Sequence, residues 1–448
     1  MIILATVLVF PGHSQAQTSE LPASLQDARE LRELVQQLPA RVAQLEAQHT
    51  KGAQGATLQQ VSAGNESARQ ASPPERTADE EQAPAEASAA QASNPAWQYG
   101  GFLDFGYLKD FNDPANHLFR SRGTTFHVNE WDVDMAAIYL RKTASENSRW
   151  GTELTLQAGK DTQVFGFSAT APNLPGSKWL RHLGPVNFSY LAPVGKGLTL
   201  QGGIFSSFIG YDSLYAKDNF TYTRPWGADF TPYFMLGVNA GYPFTSKLTG
   251  TLFVVNGYWH LADANSVPSS GGQLAYNPTD HVTLKQTFLY GPHQSNTSLE
   301  FWRFLSDSIV ERKGDRITSA FEYIVGTEKV AAPANPRALW MAAQLPVRWA
   351  VSRRFSATVR PEVYWDRDGR TTGFSQTVKA NTTSLEYRIP YRQASAILRL
   401  EHRIDDSRGP GGGFFNDREA QPGVVGLTPT QNLLIFGVIL TFDSSFHH

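Results

Sequence analysis

From Trp97 to Phe442 the chain repeats one pattern: apolar and polar positions alternate over segments set apart by Gly, Pro, Asn and Asp. In WDVDMAAIY, Trp131, Val133, Met135, Ala137 and Tyr139 fall on one face. Glu130, Asp132, Asp134 and Ala136 fall on the other, because side chains alternate sides along a strand. WGTELTLQAG sets Trp150, Leu154, Leu156 and Ala158 against Glu153, Thr155 and Gln157. FSATVRPEVYWD sets Phe355, Ala357, Val359, Val363 and Trp365 against Ser356, Thr358, Arg360, Glu362 and Asp366. SAILRLEHR sets Ala396, Leu398 and Leu400 against Ser395, Arg399, Glu401 and Arg403. A soluble sandwich also has one apolar face, but its strands usually run about five or six residues. These reach the roughly ten residues that a tilted strand needs to cross a bilayer. Several carry Trp or Tyr at an end of the apolar face, where the aromatic girdles of outer-membrane barrels lie. The pattern predicts an all-β transmembrane antiparallel barrel.

Connection lengths support it. Short links at 143–149, 194–197, 244–247, 278–280, 313–314, 347–353 and 389–392 alternate with longer ones. The longer ones lie at 109–123, 161–182, 209–231, 260–270, 291–302, 329–336, 369–374 and 406–430. Periplasmic turns and extracellular loops alternate in this way, and the tally gives about sixteen strands, an even number. Both chain ends then fall on the short-turn side. Of the predicted strands, 271–277 carries the faintest signal.

The barrel is assigned to 96–448, and the residues before it differ in texture. MIILATVLVFPGHSQAQ has an apolar run from Ile2 to Phe10 and small residues at Ser14 and Ala16, which predicts a signal peptide over 1–16. No Lys or Arg precedes that run, and a buried N-terminal strand is the alternative. Residues 17–48 are predicted to form a periplasmic helix. Leu31, Val35, Leu38, Val42 and Leu45 follow the a/d spacing of a short coiled coil, with Pro39 inside it. A loosely helical spacer is the alternative. Residues 49–95 are rich in Ala, Gln, Ser, Glu and Pro, which predicts a disordered linker.

Composition changes the picture little. The 448 residues carry 39 Lys+Arg against 41 Asp+Glu, with no basic stripe, so nucleic acid is not an expected partner. Cysteine is absent, which excludes disulfide and thiolate chemistry.

Several stretches together resemble one family. GYLKDFNDPANHLF and NEWDVDMAAIYLRK are similar to the opening of the putative β-barrel porin-2 (OmpL-like) family. The resemblance continues through SYLAPVGKGLTLQGGIFSSFIG, TPYFMLGVNAGYPFTSKLTGTLFVVNGYW, LAYNPTDHVTLKQTFLYGP and RPEVYWDRDGR, and spans about 97–442. It implies an outer-membrane barrel of a Gram-negative-type bacterium with porin activity and no defined substrate. The helix and linker lie outside the shared part.

Candidate chemistry is sparse. GPGGGF at Gly409–Phe414 lacks the Gly-Lys-Ser/Thr ending of a phosphate loop and reads as a flexible surface loop. No catalytic motif is found, and no cofactor or metal is expected. Glu130, Asp132 and Asp134 suggest a cation-attracting wall, or hard-oxygen ligands for Ca²⁺, beside the plain reading of a polar barrel interior. Arg360, Glu362, Asp366, Arg399, Glu401 and Arg403 must face inward, because Arg facing lipid costs about 2–4 kcal/mol at the midplane. They are candidate pore-lining groups. The third long link, IGYDSLYAKDNFTYTRPWGADF, offers Asp212, Lys217, Asp218 and Arg224 as constriction residues if it folds into the lumen, as such a loop often does in general porins. A loop lying over the mouth is the alternative. His402 lies on the outward face of its strand; a lipase would need a Ser and an orienting group beside it.

The expected function is passive diffusion of ions and small hydrophilic solutes across the outer membrane. A plugged, anchoring barrel that reaches periplasmic or cell-wall partners is the alternative. Homo-oligomers are expected, a trimer by analogy with general porins, although the helix a/d residues lean toward a dimer. NLLIFGVILTF is too short for a membrane helix. Leu434, Phe436, Val438, Leu440 and Phe442 can face lipid as a closing strand, while Ile435, Gly437, Ile439 and Thr441 face inward. Gly437, Leu440 and Phe442 resemble the C-terminal signal read by the barrel-assembly machinery, with Ile435 and the trailing Asp443–His448 as departures from it.

Overall fold

The computed structural model describes residues 96–166, 177–258, 261, 265–293, 299–331 and 336–447. The signal peptide, helix and linker expected over 1–95 lie outside the described residues. The strands are β1 (Ala96–Asp110), β2 (Trp131–Lys142), β3 (Trp150–Ala158), β4 (Leu183–Ala192), β5 (Leu198–Ser206), β6 (Phe234–Pro243) and β7 (Leu248–Val255). There follow β8 (Ser269–Thr279), β9 (Val282–Pro292), β10 (Trp302–Lys313), β11 (Ile317–Lys329), β12 (Arg337–Gln344) and β13 (Val347–Ala350). The last are β14 (Phe355–Asp366), β15 (Gln376–Tyr391), β16 (Ala394–Arg408), β17 (Phe414–Gln421), β18 (Val424–Thr428) and β19 (Thr430–His447).

Apart from β12 and β13, main-sheet strands next to one another in sequence pair antiparallel, and β1 pairs with both β2 and β19, which closes the sheet into a cylinder. Closure leaves no edge to be satisfied by lipid. β12 and β13 lie end to end, since β11 and β14 each pair with both, so the barrel has sixteen staves. Pro346 and Pro361 sit in adjacent staves at the break, and neither can donate to the ladder. The expected turn at 347–353 is therefore corrected: Val347–Ala350 stays in the sheet and the turn lies at 351–354. The stretch 271–277 is strand, within β8. β17 and β18 form a separate hairpin inside the last long loop. No helix among the described residues is long and apolar enough to cross a membrane; the strands cross.

The outer face carries the large apolar side chains. Leu434, Phe436, Leu440 and Phe442 of β19 are 40–44% exposed, whereas Leu433, Ile435 and Ile439 are 0% exposed. Aromatic pairs mark the two rims: Tyr107–Trp131 (5.4 Å) and Tyr290–Trp302 (4.7 Å) at the long-loop end, Trp97–Trp150 (5.9 Å) at the short-turn end.

One predicted face is wrong. The β1–β2 ladder pairs Phe105 with Val133 and Asp104 with Met135, so a bulge leaves Asp134 without a register partner. Parity flips there. Trp131 and Val133 point outward, but beyond the bulge the outward residues are Ala136, Ile138 and Leu140, while Met135 and Ala137 are buried. Tyr139 also turns inward and donates its hydroxyl to Asp443. Strict alternation would have put Met135, Ala137 and Tyr139 in lipid; the extra residue turns them into the barrel.

Candidate functional site

The lumen holds the segment 207–233, which joins β5 to β6. It folds inward rather than over the mouth: every residue from Thr221 to Phe230 is buried. Its only regular pieces are a 3-10 turn, Ala216–Asp218, and a one-turn helix, Trp226–Asp229, that follows Pro225. A segment with so little secondary structure leaves backbone N–H and C=O groups that must find partners once buried. The barrel wall supplies them, with charged side chains.

Four wall carboxylates accept from the loop backbone. Asp307 takes Gly210 N (2.8 Å) and Glu322 takes Tyr211 N (2.7 Å). Glu401 takes Tyr222 N (2.7 Å) and Thr223 N (3.1 Å), and Glu362 takes Trp226 N (2.6 Å). Three wall arginines donate to loop carbonyls. Arg399 reaches Ala216 O (2.6 Å), Thr221 O (3.0 Å) and Asn219 O. Arg360 reaches Thr223 O (2.8 Å), and Arg403 reaches Arg224 O (3.0 Å). The wall groups also pair with one another: Arg403 with Glu362 and Asp405, each at 2.9 Å, and Arg399 with Glu386 at 2.8 Å. Charge-assisted bonds of this kind are the strong ones.

Arg360, Glu362, Arg399, Glu401 and Arg403 do face inward, as the alternation predicted. They are nevertheless corrected as pore-lining groups, because the loop covers them and none is more than 7% exposed. Asp366 does not meet the lumen either. It accepts from the backbone N–H groups of Arg370, Thr371 and Thr372 and shapes the loop after β14.

The acidic trio is split. Glu130 precedes β2 and bonds His127 at 2.6 Å, and Asp132 lies 3.6 Å from Lys160. Asp134 is buried away from both, bonded to Tyr222 at 2.6 Å, so the three acids do not form one wall. Among the described residues, His127, Glu130 and Asp132 bring possible ligand atoms within 4.8 Å of one another. The Lys160 ammonium lies 3.4 Å from His127 and already serves as the cation of that cluster.

Arg224 is fully buried and paired with Asp161 at 2.9 Å. Burial raises Asp161 to about 7 against the pull of Arg224, with Asp104 adding to the rise. For Arg224, burial works against the charge, but Asp161 and Asp104 outweigh it and leave its pKa above the ordinary arginine value. Trp226 closes the far end of the loop, its indole donating to Asp405 (2.8 Å) and its ring packed on Phe119 and Phe414. Phe414 ends the glycine-rich GPGGGF stretch, which is thus anchored rather than a free surface loop. The carbonyls of Gly411 and Gly413 accept from Arg120 at 2.9 Å.

What stays wet is the other edge of the loop. The side chains of Lys217 and Asp218 are 18% and 31% exposed and lie 2.7 Å apart. Asp212 is half-buried and bonded to Gln344 (2.6 Å). Across β4, β5 and β6 a row of amides lines the inner wall: Gln201 donates to Asn187 and Asn239 to Gln201, both at 2.9 Å. His402 faces outward between Leu400 and Ile404, with Thr383 and Leu434 as its cross-strand partners.

Sequence reasoning missed Tyr222, Asp161, Asp307, Glu322, Glu386 and Asp405. Glu322 and Glu386 were findable, each being an acid between two outward aromatic or aliphatic residues. Asp307 was hidden by Ser306 and Ser308 on the lipid-facing side, and Asp405 by the adjacent Asp406.

A family model described as putative beta-barrel porin-2, OmpL-like, matches residues 97–442. A comparison with curated proteins finds no match. Among solved structures, the Salmonella typhi OmpF complex with daunomycin aligns at 10% identity and a TM-score of 0.51, over 77% of this chain and 97% of that one. The outer membrane channel DcaP of Acinetobacter baumannii aligns at 8% identity and 0.49, over 79% and 99%. An anion-selective porin from Comamonas acidovorans aligns at 9% and 0.49, over 78% and 100%.

Proposed function

Since the chain belongs to the putative beta-barrel porin-2, OmpL-like family, we propose that its barrel is a passive outer-membrane channel for ions and small hydrophilic solutes. The observation that carries this is the division of the lumen. The 207–233 loop takes up part of it with its buried 221–230 stretch, while Gln201 of β5 and Lys217 and Asp218 at the loop edge stay at least partly exposed. A barrel of sixteen strands is wide enough for an aqueous channel, and an in-folded loop narrows it without any moving part. Solutes are sorted by size and by accessible charges, among them Asp212, Lys217 and Asp218.

Both ends of the barrel domain lie on the short-turn side, paired as Ala96 with His447. This supports a periplasmic placement for residues 17–95: a helix, then a linker, after a signal peptide over 1–16. Barrel insertion through the assembly machinery and association into trimers belong to the same reading. The anchoring alternative draws on one feature, the tight filling of part of the lumen around Trp226 and Tyr222. Single-channel recording of the purified full-length protein in planar bilayers separates the two. Stepwise conductance supports the channel, and a barrel that stays sealed at all voltages refutes it.

A further inference from the structure

Tyr222 places one hydroxyl between two carboxylates from different strands. Its oxygen lies 2.5 Å from Asp104 of β1 and 2.6 Å from Asp134 of β2. All three residues are at most 2% exposed. Both separations are those of O–H···O bonds, and each bond needs a hydrogen on its line. The phenol has one hydrogen. If it donates to one carboxylate, the other contact forms only when that carboxyl group carries a hydrogen and donates it to the phenol oxygen. Tyr222 cannot retreat, because its backbone is held by Glu401 and its ring lies against Gly106 and Gly437.

The surroundings point the same way. Asp161 brings the local carboxyl groups to three, against two guanidinium groups, Arg224 and Arg399. Arg224 is engaged by Asp161 and Arg399 by Glu386. A fully ionised set would leave two carboxylates facing one phenol at a buried place, where like charges repel strongly.

We infer that Asp104 and Asp134 hold one proton between them through Tyr222, and that this proton latches the in-folded loop to the barrel wall. Its loss at alkaline pH frees the loop from β1 and β2 and alters the lumen. The effect on conductance rests on the channel reading above; the proton and the latch do not.

Infrared spectra of the full-length protein and of Asp134→Asn and Asp104→Asn test the proton. In either variant an amide N–H replaces the shared hydrogen, so a carboxylic-acid C=O band that the wild type shows at neutral pH in addition to that of Asp161 should disappear. Hydrogen exchange tests the latch. Between neutral and alkaline pH, the protection of the Tyr222 and Thr223 amides should fall about tenfold or more in the wild type and stay level in Asp134→Asn, about 1.4 kcal/mol or more of local stability. Conductance should follow the same pH profile. A wild-type spectrum without the band, or identical pH profiles in wild type and variants, overturns the inference. If neither variant folds, the wild type decides: the band and the loop protection must vanish together. A protein that never conducts yet shows both changes refutes the channel and leaves the latch standing.

Discussion

The ring of Tyr222 occupies the space that a side chain on Gly437 would need: a Cβ there would lie 2.3 Å from the ring Cδ2. Gly437→Ala therefore tests loop packing. The barrel should still insert, because the backbone of β19 is extended and needs no glycine at this point. Overpacking should cost about 1–3 kcal/mol, read as a lower urea midpoint. Displacement of the loop should raise single-channel conductance; unchanged conductance would show that the loop does not bound the passage.

Arg399→Ala removes the donor for three loop carbonyls and the partner of Glu386. Breaking such a buried pair should cost about 3–5 kcal/mol. Channel noise should increase, with protease cutting inside 207–233. A variant that changes only ion selectivity would return Arg399 to the role of an open pore-lining residue.

Lys217→Glu alters an accessible charge at the loop edge without touching the wall ladder. Reversal potentials in a salt gradient should move toward cation preference, and the shift should shrink at high salt as screening grows. Asp134→Asn should leave the same potentials unmoved at neutral pH.

Asp161 makes stability depend on pH. Its carboxyl titrates at about 7 when folded and about 3.9 when unfolded. Across that window the folded state keeps a proton that the unfolded state has lost, so the contribution of Asp161 to stability falls as pH rises from about 4 to about 7 and is level above. At about 1.4 kcal/mol per unit the effect amounts to a few kcal/mol. Urea midpoints at pH 5 and pH 8 should differ in the wild type, and by a smaller margin in Asp161→Asn.

Deletion of Phe442 removes an aromatic residue of the outward face of β19, opposite Gly101. It should block assembly, seen as loss of the heat-modifiable band from outer-membrane fractions. Normal insertion without it would refute the reading of this segment as an assembly signal.

The cylinder was legible because lipid imposes one rule on every stave, outward apolar and inward polar. Phe355 to Asp366 obeys it at every position except Tyr364, an inward aromatic, and connection lengths then fix the order. The site was less legible for two physical reasons. Alternation shows that Arg360 or Glu401 points inward, but not whether water or a loop meets it there. The loop partners are backbone groups, which every residue carries and no pattern marks. The bulge opposite Asp134 is the second reason, since one extra residue reverses the parity of everything after it. The apolar inner face of β19, Ile435 and Ile439, was the visible trace of the buried loop, read without its cause.

The ladder between β1 and β19 joins the two ends of the domain, so the barrel cannot close until the last strand has been made. Such distant pairing is slow, because the loop-closure entropy of the whole chain opposes it. The loop around Tyr222 touches β1 and β2 on one side of that seam and β16 and β19 on the other. It therefore acts as an internal staple, binding from within the joint that forms last and that would otherwise unzip first.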